Sequence, residues 1–370
     1  MIDVGEEYRR YGRSCYAEGA VGASEKLNFQ GGRGVLSFSS DFESGNLHSA
    51  RRVGEFKYEL LMSDDTHTRG HTQWFFFKVR TRKCQGKTFS LSIVNMEKKR
   101  SLFENGMRPC MYSTKLDAES GRRWERTGSR VRYHATARLR ASKKPYYALT
   151  FDVTFPFDDD ACFLAYAAPY TTYDLDSDLA EMELDPRVRR LVRVGQLCRS
   201  LEGREVRLVK LHEGIDGRAG KPVIVFSARA HPGESNSSWV MKGLLDWLVS
   251  SEAAELRQSF DILAVPMLNP DGVAAGNYRT SLAGVDLNRR WLKPRRDVTP
   301  EVFHLKRLLR KLASTGRLAL FVDLHGHSRK HGCFTYGCRP SGWELHLPRA
   351  LASLFYAFCH LTTGGQFLRF

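Results

Sequence analysis

The sequence predicts an α/β layer sandwich preceded by an antiparallel β-sandwich, and three observations carry that expectation. Residues 147–155, Tyr147-Ala-Leu-Thr-Phe-Asp-Val-Thr-Phe155, alternate apolar and polar side chains with the period of a half-covered strand. The run Val223-Ile-Val-Phe-Ser227 is continuous and apolar, as in a strand covered on both faces. Val240, Leu244, Leu245 and Leu248 then fall at helical spacing within 237–248. A chain of 370 residues is long enough for two domains.

The elements follow in order. Residues 1–34 are polar and glycine-rich and read as a loose lead-in. Over 35–168, strand-like runs occur at 36–38, 56–61, 74–79, 89–94, 146–155 and 162–166, separated by Gly, Asp, Asn and Lys-rich turns. That spacing predicts the β-sandwich. The texture changes after Pro169, and residues 169–370 read as the second domain. There 191–198 and 206–211 predict a hairpin pair, while 223–227, 260–266 and 318–324 predict buried strands. Helices are expected over 237–248 and, as a basic helix, 300–312. Strands alternating with helices define the α/β layer class.

Composition narrows the function classes. With 42% hydrophobic and 26% charged residues the chain is globular rather than disordered. A formal net charge of +16 favours an acidic partner. The basic residues are spread along the chain without a recognition-helix, zinc-finger or RNA-recognition signature, so nucleic acid is not expected. No apolar stretch approaches the ~18–20 residues of a membrane span. Residues 1–16 contain Glu6, Glu7, Arg9 and Arg10 and do not read as a signal peptide. Eight cysteines without a CxxC pair read as reduced thiols of a cytosolic or nuclear protein. Cys333 and Cys338 are taken as buried thiols rather than metal ligands.

One constellation points to chemistry. His231-Pro232-Gly233-Glu234 follows the 223–227 strand, and His325 directly follows the 318–324 strand. A His and a Glu three residues apart can address one ion from a strand-to-helix turn, and a second strand end supplies the third ligand. Three N/O ligands with one open position is the plan of a catalytic zinc site. Strand carboxyl ends are where α/β sheets place such sites. Either histidine alone reads as an ordinary loop residue; the set carries the signal. His327 and His331 read as loop residues. Asn288, Arg279 and Arg289 lie in one loop region, where guanidinium forks suit a carboxylate.

Taken in order, the motifs 231–234 (HPGE), 269–273 (NPDGV), 276–279 (GNYR), 286–291 (DLNRRW) and 323–328 (DLHGHS) resemble the zinc metallocarboxypeptidases. The wording is similar to their cytosolic carboxypeptidase branch, which includes the tubulin deglutamylases. The β-rich half joins the resemblance through 42–47 (FESGNL), 70–75 (GHTQWF), Tyr112-Ser113, 155–160 (FPFDDD) and 168–173 (APYTTY). The resemblance implies the carboxypeptidase fold, a mixed sheet flanked by helices, and one zinc per chain. It implies His231, Glu234 and His325 as zinc ligands and Asp286 as the partner that orients the His231 ring. It implies Arg279 as the group that polarises the scissile carbonyl and stabilises the oxyanion. Asn288 and Arg289 would grip the terminal carboxylate of the substrate. Substrates would be acidic protein C-termini or polyglutamate side chains, tubulin among them, in the cytosol or on the cytoskeleton.

The family's general-base glutamate has no counterpart in this chain. Only 45 residues follow His325, and Glu344, the single glutamate of the 343–370 tail, stands in no similar context. The expectation is a catalytic domain incomplete at its C-terminus, whose zinc ligands are all present but whose proton transfer is crippled. Two other classes fit parts of the sequence. An aspartoacylase-type amidohydrolase shares the HxxE…H plan without requiring the β-rich half. A non-catalytic tubulin- or acidic-partner-binding protein would account for the missing base.

Overall fold

The computed structural model describes residues 36–211, 220–330, 332 and 334–336. The lead-in 1–34, His331, Cys333, Cys338 and Glu344 lie outside the described residues. The described residues up to Gly326 belong to one compact unit, and those from His327 onward to a second.

The β-rich half is built from ten strands in two five-stranded sheets. One sheet runs β1 (Leu36–Ser39), β4 (Phe76–Thr81), β10 (Ala161–Ala165), β6 (Cys110–Ser113), β7 (Glu125–Arg126). The other runs β2 (Leu47–Gly54), β3 (Lys57–Met62), β5 (Thr88–Met96), β9 (Pro145–Thr154), β8 (Ser129–Leu139). All pairs are antiparallel except β3 with β5, which is parallel. That one pair departs from the all-antiparallel expectation, because β4 leaves for the other sheet between the two strands.

One core joins the sheets. Phe38 of β1 packs against Tyr58 of β3 with the rings tilted and their centroids 5.2 Å apart, and Tyr58 approaches Phe89 of β5 at 6.4 Å. Trp74, Phe75, Phe76 and Phe77 are all essentially buried. Each fully buried aromatic of this kind contributes about 1.5–3 kcal/mol. Asn46 ties this segment down: its Oδ1 accepts from Phe76 N, and its Nδ2 donates to the Trp74 carbonyl.

The second half holds a mixed sheet in the order β11 (Val192–Arg199), β12 (Glu205–Leu211), β14 (Asp261–Val265), β13 (Val223–Ala228), β15 (Leu318–Leu324). β11 and β12 form the expected antiparallel pair. β13 lies parallel to both β14 and β15. Two long helices belong to this half, α3 (Ser235–Leu248) and α6 (Pro300–Ser314). An additional helix, α2 (Thr172–Leu184), begins on a capping box made by Thr171 and Asp174. Leu175 and Leu179 of α2 enter a core with Met241 and Leu245 of α3. Val302 and Leu305 of α6 pack into another with Val223 and Val225. β13 is almost wholly buried, as its apolar run predicts. β15 is only partly buried, against the expectation of a fully covered strand. Among the described residues it has a neighbour, β13, on one side only.

Candidate metal centre

β13 and β15 are adjacent and parallel, with Ser227 opposite Asp323 and Ala228 opposite Leu324. Their carboxyl ends therefore open onto the same edge. His325 is the first residue past β15. His231 follows β13 by three residues, within the turn that starts α3.

That turn is held from several sides. Arg229 adopts a left-handed φ of 58° and is buried. Its guanidinium donates to the carbonyls of Pro232 (2.7 Å) and Tyr170 (2.9 Å) and to Ser238 Oγ (2.8 Å). Burial lowers its pKa to about 10, so it stays charged at neutral pH. Asn269 caps the short helix α5 (Pro270–Ala274) and sends Nδ2 to the Ala230 carbonyl at 3.2 Å. The 269–273 segment is thus a helical turn braced against the chain entering His231. Gly233 donates its N–H to the Tyr278 carbonyl at 2.8 Å. A Cβ there would stand 2.5 Å from Tyr278 Cδ2, so glycine is needed for this close approach. Glu234 occupies the N-cap of α3 but makes no side-chain cap bond. Its carboxylate is turned to the two imidazoles instead.

His231, Glu234 and His325 each offer one ligand atom, all within 4.8 Å of one another. Nδ1 of His231 lies 3.2 Å from Glu234 Oε1, and Nδ1 of His325 lies 3.0 Å from Oε2. The opposite ring nitrogens face carboxylates: His231 Nε2 is 3.1 Å from Asp286 Oδ1, and His325 Nε2 is 2.6 Å from Asp323 Oδ2. Each ring therefore has its Nε2 proton held from behind and its Nδ1 directed at the shared carboxylate, the arrangement of metal-ligating histidines. Two imidazoles and one carboxylate suit zinc by donor type.

The electrostatics agree. Burial alone would raise the Glu234 pKa, but hydrogen bonds from His231 and His325 hold it well below the carboxylate range. Asp286 likewise is lowered against its own desolvation by His231 and Arg279. Burial alone would lower the His325 pKa, yet Asp323 and Glu234 push it up to about 10. The cluster is a concentration of negative charge that binds a proton when no other cation is present.

The remaining expected residues stand around it. Arg279 donates Nε to Asp286 Oδ2 at 2.7 Å. Its Nη1 is 3.4 Å from His231 Nδ1 and 3.8 Å from Glu234 Oε1, so the guanidinium borders the ligand atoms. Arg289 is exposed, and its Nη1 lies 3.3 Å from the Asn288 carbonyl. Asn288 faces inward: its Nδ2 is 3.1 Å from Asp323 Oδ2 and 2.7 Å from His325 Nε2, and its Oδ1 accepts from Trp291 Nε1. Here its amide holds the His325 partner rather than standing open beside Arg289. His327 accepts from the N–H groups of Arg329 and Lys330, which makes it a loop residue.

Two contributors are not evident from the motifs alone. Asp323 backs His325 although it reads as the last polar residue of a strand; its place two residues before the histidine was the available clue. Arg229 has no sequence signal beyond its position ahead of His231.

Comparison with known proteins places the chain in a family. The zinc carboxypeptidase (peptidase M14) family matches residues 182–344, and the cytosolic carboxypeptidase N-terminal domain matches residues 38–166. Cytosolic carboxypeptidase 2 of Xenopus tropicalis is 42% identical over 316 residues, covering 84% of this chain and 32% of that protein. Cytosolic carboxypeptidase 4 of Mus musculus is 45% identical over 323 residues, covering 82% of this chain and 29% of that one. The chain thus spans about a third of the length of these relatives. A crystal structure of a putative carboxypeptidase from Burkholderia mallei superposes with a TM-score of 0.69 at 25% identity, covering 94% of this chain and 82% of that one. No helix among the described residues is long and apolar enough to cross a membrane. With an N-terminal domain and a zinc-peptidase domain matched in sequence order, the chain belongs to the zinc carboxypeptidase family, on its cytosolic carboxypeptidase branch.

Proposed function

We propose that this chain carries the metal-holding and substrate-gripping machinery of a zinc carboxypeptidase acting on acidic C-termini, glutamates of polyglutamylated proteins such as tubulin foremost. The observation that carries the reading is the set of two Nδ1 atoms converging on Glu234, each ring backed by its own aspartate. His231, Glu234 and His325 would hold one zinc per chain. When bound, the zinc supplies a Lewis acid for the scissile carbonyl and for water. Asp286 and Asp323 keep their protons on Nε2, leaving Nδ1 free to ligate. Arg279 takes up negative charge developing on the carbonyl oxygen. Arg289 would grip the terminal carboxylate, joined by Asn288 only where its amide leaves Asp323. Arg290 and Lys293, exposed and near in sequence, would add positive charge that favours an acidic chain end.

Among the described residues, the carboxylates at the cluster are Glu234, Asp286 and Asp323, and each is bonded to a histidine. None of the three is placed to accept a proton from attacking water. The same reading sets the boundary of the two domains at 168/169. The core of the β-rich half takes in Ala167, and the next core begins at Tyr170, which supports that division.

The test is the zinc content of the purified chain, with His231→Ala as control. About one zinc per chain, lost in the variant, is expected; a parent protein without zinc overturns the reading. Peptides ending in Glu, Lys and Leu then test the substrate class, and equal binding of all three overturns the acidic preference. Co-sedimentation with microtubules, compared with and without their acidic tails, tests tubulin.

A further inference from the structure

The loop that carries Arg279 is held by the β-rich half as well as by the half to which it belongs. Asp65 follows β3 and is 3% exposed. Its Oδ1 accepts from the N–H of Tyr278 at 2.6 Å. Its Oδ2 accepts from the N–H of Arg279 at 2.7 Å and of Thr280 at 2.8 Å, and from Thr280 Oγ1 at 3.1 Å. Three successive backbone N–H groups thus converge on one carboxylate, an anion-holding concavity filled by a side chain.

Neighbouring contacts repeat the pattern. Asn277 Oδ1 accepts from both the N–H and Oγ1 of Thr66, each at 3.0 Å. Gly276 has φ +74°, and a Cβ there would lie 2.7 Å from the Gly45 carbonyl oxygen. Gly284 has φ +69°, and a Cβ there would lie 2.8 Å from the His67 carbonyl oxygen. The loop backbone is pressed against 44–46 and 65–67 along its whole length.

We infer that Asp65 is a positioning residue for Arg279: by fixing the backbone of 278–280 it sets where the guanidinium stands against His231 and Glu234. This rests on the carboxypeptidase reading for what Arg279 does, but not for how it is held. The β-rich half is then part of the site's construction, and the arginine depends on a residue more than two hundred positions earlier. A carboxylate is required because all four groups that meet it are donors. An amide would turn its NH2 toward one of them or toward three.

The experiment uses the full chain as parent, Asp65→Asn, Arg279→Ala and the double variant. Hydrogen exchange, resolved by peptide, is measured across each. Asp65→Asn is expected to speed exchange of the 278–280 amides about tenfold or more, the loss of a charge-assisted hydrogen bond. Exchange elsewhere and the unfolding midpoint stay near the parent. The second readout is succinate binding, followed in the visible spectrum of the cobalt-loaded protein. Asp65→Asn and Arg279→Ala should each weaken succinate about tenfold, with the double variant no weaker than Arg279→Ala alone. Cobalt content should not change. Additive losses, or unchanged exchange at 278–280, overturn the inference. So does accelerated exchange over the whole chain, which would make Asp65 a general stability residue. A parent that takes up no cobalt refutes the carboxypeptidase reading, and the exchange data still decide whether Asp65 holds the loop.

Discussion

Nε2 of His325 lies 2.6 Å from Oδ2 of Asp323, two residues earlier on the same strand exit. Residues two apart on an extended chain share a face, so a DxH sequence at a strand end can bond to itself. Asp323 is fixed in turn by Ser227 Oγ at 2.6 Å and Asn288 Nδ2 at 3.1 Å. The ring is held with Nδ1 toward Glu234 before any metal arrives.

Removing that brace should loosen the metal. Asp323→Ala is expected to weaken zinc about 10–100-fold, the usual effect of losing a ligand's hydrogen-bond partner. Chelator competition measures it. An affinity equal to the parent's would show that the ring is oriented without Asp323.

Metal uptake should release protons. In the metal-free protein His325 is pushed up to about 10, so it is protonated at pH 7.5 and must lose that proton to ligate. Calorimetry in buffers of different ionisation enthalpy should find about one proton released per metal at that pH. The sign for stability follows. A raised histidine contributes stability that is fully present below pH 6.5 and lost as pH rises through about 10. The metal-free protein should therefore soften over that window, and His325→Ala should flatten the slope.

Glu301 predicts a second pH effect. It is 1% exposed in the first turn of α6, and its Oε2 has no hydrogen-bond partner among the described residues. Burial pushes its pKa up to about 7 from an ordinary 4.5. A raised carboxyl costs stability as pH climbs from 4.5 through about 7, because only the unfolded chain ionises freely. Glu301→Gln should raise stability by about 1–3 kcal/mol above pH 7 and change little at pH 4. Thermal melts at the two pH values decide it.

Two glycines give opposite expectations. Gly233→Ala drives a Cβ into Tyr278 Cδ2 at 2.5 Å and toward its carbonyl oxygen at 3.0 Å. A loss of about 1–3 kcal/mol is expected, with weaker zinc binding, since the same turn carries His231 and Glu234. At Gly243, exposed on α3, a Cβ meets nothing within 4 Å. Gly243→Ala should gain about 0.5–1 kcal/mol. Equal effects in a denaturant titration would show that the Tyr278 contact yields easily.

Most buried strands were legible in the residues. The apolar run at 223–227 became β13, and the alternating 147–155 segment became β9. β2 and β8 were not legible, because both lie at sheet edges with mostly exposed, arginine-rich side chains. Their pairing comes from backbone bonds to β3 and β9, which leave no hydrophobic period. α2 had a readable signal in Thr171 and Asp174, but its apolar stripe is weak.

The sequence by itself determined the candidate ligands: His231 and Glu234 are readable by donor type and short spacing, which are local properties of the chain, and His325 by its place directly after an apolar strand. Only the tertiary structure decided what holds them. Asp65 reaches the 278–280 backbone from 213 positions away, Arg229 ties the HPGE turn to the Tyr170 carbonyl, and Asn288 turns inward to Asp323. These contacts depend on how separate elements pack, and a hydrogen bond between distant segments leaves no period or spacing in the sequence.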